Sequence, residues 1–407
     1  WNTINDPLFG FIEDHTKSKK YGRRIPYIRF GAPVYGLLFI FCWIPFVDLN
    51  NQIALFFNLI LVLFLFDSMY TILGLINYTL PAEMAITSKD RANLMVYGNL
   101  INSFASIISY ILPLLVLIGN PAPEAPINFL IVMIFVGILS SIILFVSSFY
   151  LKENKYTQME DTLPVLKGIK ETFRNMPFLI FEVSNFSFTL AQTILTTAIF
   201  YYVQYVLMVT GIFSVIPLII VFIMIFTFLP IFNRLIGKYG VKKSYLLALM
   251  LTGSSFFITF FIGWTLYLAI IGFILIGIGI SGYMITNNLV IADIVDYDET
   301  KTKKRRETSY SGINALITKP AISLGNWLFL LIISLSRFDS EQSTQIFSAQ
   351  LGIMAGFSLI PSIFLFLGVI VMFIYPLDGP QWLAQKAKLI EIHRKKELEY
   401  QEQLERK

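Results

Sequence analysis

The chain has 407 residues, of which 56% belong to the AVILMFWYC set and only 14% are Asp, Glu, Lys or Arg, with a formal charge of +5. Soluble proteins carry about 45–50% apolar and about 25% charged residues, so a mean hydropathy of +0.69 makes lipid the solvent and excludes a soluble domain, a disordered chain and a coiled coil. One cysteine, Cys42, permits no internal disulfide, and the two histidines, His15 and His393, sit in polar segments, which argues against a His-rich metal centre.

A membrane-crossing helix needs about 20 mostly apolar residues. In chain order, such stretches are 28–48, 52–80, 94–118, 127–150, 178–206, 214–233, 244–262, 264–290, 308–336 and 351–376. Ahead of them, Trp1–Ile12 is apolar but too short to cross and lacks an initiating Met. It reads as the surviving part of a span, with at least one more helix expected upstream. Of the 31 Lys and Arg residues, 29 fall in 15–29, 87–93, 151–177, 234–243, 301–306 and the tail after 377, while 49–51, 119–126, 207–213 and 263 hold none. Basic segments stay on the cytoplasmic side, so both chain ends are expected there, in a multi-pass protein of the cell membrane. The positive charge is thus a matter of topology, and no nucleic-acid partner is expected.

The longest connection, 151–177, reads as a cytoplasmic linker. It divides an N-terminal helical bundle, 1–150, from a C-terminal one, 178–376, and a cytoplasmic tail helix follows at 377–407. Pairs such as Glu391 and Lys395 at i,i+4 make that tail a solvated helix. An internal repeat supports two halves. Pro7-Leu8-Phe9-Gly10, followed by Tyr21-Gly22-Arg23-Arg24, is matched by Pro230-Ile231-Phe232-Asn233, followed by Tyr239-Gly240-Val241-Lys242-Lys243. Gly272, Gly277, Gly279 and Gly282 predict close helix packing.

No phosphate-cradling, zinc-protease or nucleophile-elbow motif occurs, so no enzyme is expected. Ionisable groups within spans carry the functional signal, because each is costly there. Asn2, Asn5 and Asp6 share one helical face, and Pro7 frees the carbonyl of Thr3; these oxygens suit either a hard cation or a polar helix contact. Lys319 lies about 16 Å into its span from Thr308, near the middle of a core about 30 Å thick. Its depth roughly matches that of Asp6. Asp67 or a bound anion are alternative partners, and a structural ion pair is the alternative role. At a span's end, Asp293, Asp296, Asp298 and Glu299 face Lys303-Lys304-Arg305-Arg306 across a short loop, as a cytoplasmic gate or as solvated charge. Asp14, Gly22, Arg23 and Arg24 form a similar charged turn. Glu83 and Glu182 lie near span ends, where solvated positions are expected. Mid-span polar groups, Thr71, Asn99, Asn185, Gln192, Asn287 and Asn288, and the aromatics Tyr70, Tyr78, Tyr202 and Trp327 suit either a sugar or, for the aromatics, packing and interface belts.

These residues resemble the glycoside–pentoside–hexuronide:cation symporters, the melibiose permease-like branch of the major facilitator superfamily. The resemblance runs from residue 1 to about 376. It is carried by Asn5-Asp6-Pro7 with Gly10, Gly22-Arg23-Arg24, Ala292-Asp293-Ile294-Val295-Asp296-Tyr297, and Gly312-Ile313-Asn314 leading to Lys319-Pro320-Ala321. It implies an all-α membrane protein of two six-helix bundles, with the first helix and part of the second missing from this chain and a central site open alternately to either side. It further implies secondary active transport, with Asp6, Asn2, Asn5 and Thr71 binding the coupling cation and Lys319 coupling it to substrate. Asp293, Asp296 and Arg305 fall on gate positions. Asn2 stands where a second aspartate is expected, which leaves the choice between Na+ and H+ open. Gly74, Tyr78 and Asn99 stand at sugar-binding positions where the family has Asp, Trp and Arg, so a galactoside held in the usual way is not expected. A glycoside or other sugar is the expected substrate, with no further cofactor and a monomer in the bilayer. A lipid or lysolipid transporter of the same fold, an uncoupled facilitator and a non-transporting sensor are the alternatives.

Overall fold

The computed structural model describes residues 5, 8–9, 12–13, 16, 22, 24–84, 97–98, 101–102, 105–106, 109, 127–151, 172–209, 211–302, 307–342 and 344–388. Among them there are helices and connections but no strand, and nine helices are long and apolar enough to cross a membrane. The expected span 94–118 and the stretch Trp1–Ile12 lie largely outside the described residues. The chain forms two compact units, Trp1–Thr162 and Leu163–Lys407.

In the first unit, α1 (Ile25–Trp43) packs on both α2 (Gln52–Met84) and α3 (Ile127–Ser147). The α1–α3 crossing depends on two glycines. A Cβ on Gly36 would lie 2.7 Å from the Gly137 carbonyl, and one on Gly137 would lie 2.8 Å from Ile40. Small residues of this kind let helix backbones approach where lipid supplies no hydrophobic drive. At the start of α1, Arg29 donates to the Ser148 hydroxyl (3.1 Å) and carbonyl (2.9 Å) and stacks over Phe149. This ties the beginning of α1 to the end of α3. Phe30, Leu37, Phe56, Phe57 and Leu61 are exposed, as a lipid-facing surface requires.

The second unit holds α4 (Met176–Tyr201), extended by a π segment to Val206, then α5 (Ile216–Tyr239), α6 (Val241–Ile262), α7 (Leu266–Thr302), α8 (Glu307–Leu335), α9 (Phe347–Met354) and α10 (Ile360–Phe373). A π segment, Ala355–Leu359, joins α9 to α10. Pro361 accounts for it, since a proline lacks the N–H and clashes with the carbonyl four residues back, and widening the turn relieves that clash. Helix α7 packs on α5 and α6, α10 on α4 and α6, and α8 on α4.

The expected glycine stripe holds α7 in place. A Cβ on Gly277 would sit 2.7 Å from the Val221 carbonyl of α5, and one on Gly279 would sit 2.7 Å from the Thr252 amide of α6. Helix α7 also departs from its expected length. The apolar stretch ends near 290, yet the helix continues through Asp293, Asp296 and Asp298 to Thr302. Hydropathy marks the membrane, whereas backbone hydrogen bonding sets the end of the helix.

The two repeat copies share a backbone feature. Gly22 has φ +86° and Gly240 has φ +87°, a region that L side chains rarely adopt. Equivalent turns thus enter α1 and α6.

Candidate functional site

The first unit brings together Asn5, Asp67 and Thr71. Asn5 is 0% exposed, and its Nδ2 donates to Asp67 Oδ2 at 2.7 Å. Asp67 and Thr71 are one turn apart on α2, so they share a face. Thr71 is buried, and both its Oγ1 and the Oδ1 of Asn5 lack a hydrogen-bond partner. A buried polar atom left unpaired costs about 1–3 kcal/mol. A carboxylate, an amide oxygen and a hydroxyl are hard oxygen donors of the kind that hard cations prefer. Asn2 and Asp6 lie outside the described residues. Sequence reasoning weighed Asp67 only as a partner for Lys319; the signal that could have found its link to Asn5 is a carboxylate in an otherwise apolar span.

Further along the same face of α2, Tyr70 and Gly74 are exposed, and a Cβ on Gly74 would meet nothing within 4 Å. Open space therefore borders the helix at this position. Tyr70 continues an aromatic column through Phe66 to Tyr35 of α1. The Tyr78 side chain and Asn99 lie outside the described residues, as do Asp14 and Arg23. Arg24 is buried, directly after the Gly22 turn.

In the second unit, Lys319 is half-buried on α8, directly before Pro320, and the helix runs through both. Its own helix is fastened to α4 by three side-chain hydrogen bonds, each 2.6 Å long. Asn175 Nδ2 donates to the Tyr310 hydroxyl, Asn185 Nδ2 to Asn314 Oδ1, and Thr197 Oγ1 to Asn326 Oδ1. Gln192 and Trp327 are exposed and take no part in these bonds.

The charged end of α7 and the start of the tail correct the two readings of solvated charge. Asp293 is 3% exposed and pairs with Lys386 of the tail; Arg305, the residue expected opposite it, lies outside the described residues. Asp296 is half-buried, and Asp298 and Glu299 are buried, so this run is not solvated loop charge. The tail segment 379–388 is helical and docked, with Trp382 buried edge-on against Tyr297. Lys242 of α6 holds the preceding connection by donating to the carbonyls of Phe373 (2.9 Å) and Tyr375 (2.7 Å). Burial, and after it the Asp293 charge, push the Tyr375 hydroxyl well above its ordinary pKa. One tryptophan in a charged tail was the available signal that this segment packs.

Glu182 requires a further correction. A solvated position was expected near the span end, but the side chain is 2% exposed. Helix α4 begins at Met176, so Glu182 stands almost two turns in, on the inner face of the helix. Neighbouring Asn185 binds Asn314 and accepts from the Tyr283 hydroxyl, and Tyr283 is stacked on Phe188.

The profile of a family described as MFS/sugar transport protein matches residues 1–379. An uncharacterized symporter of Synechocystis sp. is 32% identical over 148 residues, covering 35% of this chain and 27% of that protein. A glucuronide carrier protein homolog of Escherichia coli is 22% identical over 229 residues, covering 56% of this chain and 49% of the relative. The matches thus span about half or less of these relatives' lengths. A crystal structure of a D-xylose-proton symporter aligns with a TM-score of 0.64 and 13% identity, covering 92% of this chain and 84% of that one. Likeness at that identity establishes a shared fold.

Proposed function

The chain belongs to the MFS/sugar transport protein family, whose structural neighbours are transporters rather than enzymes, and on that premise we propose that it is a secondary transporter of the cell membrane moving a glycoside or related sugar together with a cation. The observation that carries the cation half is the Asn5–Asp67 bond beside two buried oxygens that lack partners. Asp67 supplies a carboxylate where Asn2 withholds one, so the site regains the negative charge that binding Na+ or H+ requires. Asp6 and Lys319 keep the roles the resemblance implies: Asp6 joins the cation site and Lys319 couples its occupancy to substrate. Tyr70 and the open space at Gly74 form the sugar-facing side of α2. The basic segments face the cytoplasm, and transport proceeds by alternating access.

The relatives support this reading: one is named a symporter, one a glucuronide carrier protein homolog and one a D-xylose-proton symporter. The test is uptake into proteoliposomes of a panel of pentoses, hexuronides and glycosides, under an imposed Na+ gradient or an imposed proton gradient. Accumulation of one sugar class above its external concentration under one gradient is expected. Uptake that only equilibrates, indifferent to both gradients, overturns the coupling, and no uptake of any panel member overturns the sugar assignment.

A further inference from the structure

Helix α4 carries a carboxyl group that the sugar-transport reading does not use. Glu182 lies six residues past Met176, about 9 Å along the helix. Its Oε2 receives Asn185 Nδ2 only at a long 3.5 Å, and its Oε1 is buried with no hydrogen-bond partner. The amide beside it is already committed, because Asn185 donates to Asn314 at 2.6 Å and accepts from Tyr283.

Tyr245 of α6 and Tyr283 of α7 are buried, the first tilted against Phe181 and the second bonded to Asn185, residues on either side of Glu182 in α4. The Tyr245 hydroxyl is itself buried without a partner. Helix α10, which packs along α4, carries no ionisable side chain. On α8, Asn314 reaches Glu182 only through Asn185, and Tyr310 is engaged by Asn175. Lys319, five residues beyond Asn314, falls about 140° around that helix at 100° per residue. No Lys, Arg or His pairs with Glu182 among the described residues.

A carboxylate here would hold a full charge with one long hydrogen bond and no counter-charge. Burying an unpaired ion costs far more than neutralising it, and within a membrane span such a group is functional by default. A protonated carboxyl also brings a donor into a seam where two buried oxygens, Glu182 Oε1 and Tyr245 Oη, lack partners.

We propose that Glu182 is a proton-binding site of the second unit, loaded while the seam between α4, α6 and α7 is closed and emptied when that seam opens to water. The step is a proton transfer between water and a carboxylate oxygen, and no other bond changes. Its role as a coupling site rests on the transport reading; the binding itself does not.

The test is pH-difference infrared spectroscopy of the purified protein in lipid, with no substrate present. The wild type is expected to show a protonated-carboxyl C=O band that titrates reversibly, is lost in Glu182→Gln and moves in Tyr245→Phe. Glu182→Asp, which keeps the acid, is expected to shift the band and guards against a folding failure of the Gln variant. A band of unchanged size and position in both Glu182 variants, or no such band in the wild type, overturns the inference. Because no sugar is used, that failure is separate from a failure of uptake in proteoliposomes.

Discussion

Replacing Lys386 with Ala isolates the contact that fastens the tail. The Asp293 side chain is 4% exposed and that of Lys386 is 28% exposed, so the pair lies between two limits. Breaking a fully buried pair costs about 3–5 kcal/mol, and losing an exposed one costs about 0.2–1 kcal/mol. With one partner more than a quarter exposed, the cost to docking is about 1–2 kcal/mol. At about 1.4 kcal/mol per decade, amide protection in 379–388 falls about 5- to 30-fold. Hydrogen–deuterium exchange of the protein in lipid nanodiscs reads this directly, with α6 as an internal reference. Combining Lys386→Ala with Asp293→Asn then costs less than the sum of the two, by a similar amount. Unchanged exchange in 379–388, or an equal rise in α6, refutes the assignment of this pair as the fastening.

Three further outcomes follow from the geometry. Gly277→Val forces a side chain to within 2.7 Å of the Val221 carbonyl and lowers stability by about 2 kcal/mol or more, read as a depressed thermal unfolding midpoint, whereas Gly74→Val, with nothing within 4 Å, leaves it unchanged. Asp67→Asn removes the carboxylate bonded to Asn5 and weakens the apparent affinity for the coupling cation about tenfold or more in reconstituted uptake, with fold retention checked by the same melt. Tyr375 has a raised pKa, so its contribution is fully present below the ordinary tyrosine value of about 10 and is lost as pH climbs through the raised one. Exchange in the tail therefore accelerates at strongly alkaline pH, and Tyr375→Phe flattens that dependence.

Spans were legible because hydropathy over about 20 residues reflects a single transfer from water to lipid. The glycine stripe of α7 was legible too, since small residues at helical spacing have few other uses in a membrane. Asp293 was singled out for its buried cost, but its partner was not, because Lys386 lies 93 residues away and nothing local specifies the pairing. Glu182 was misjudged for a different reason. Linear distance from a span end measures depth in the membrane, whereas burial depends on which way a helix face turns and what packs against it. The acidic end of α7 shows the same limit, as polarity ended the predicted span while the helix continued.

The three equal hydrogen bonds between α4 and α8 reach from Asn175 to Thr197, about 33 Å of helix, enough to cross a hydrocarbon core about 30 Å thick. Two staves riveted at top, middle and bottom have no room to slide or splay against each other. Whatever tilts Lys319 must carry Glu182 with it, so the lysine and the buried acid are fixed to one lever, and its fulcrum has to lie elsewhere in the molecule.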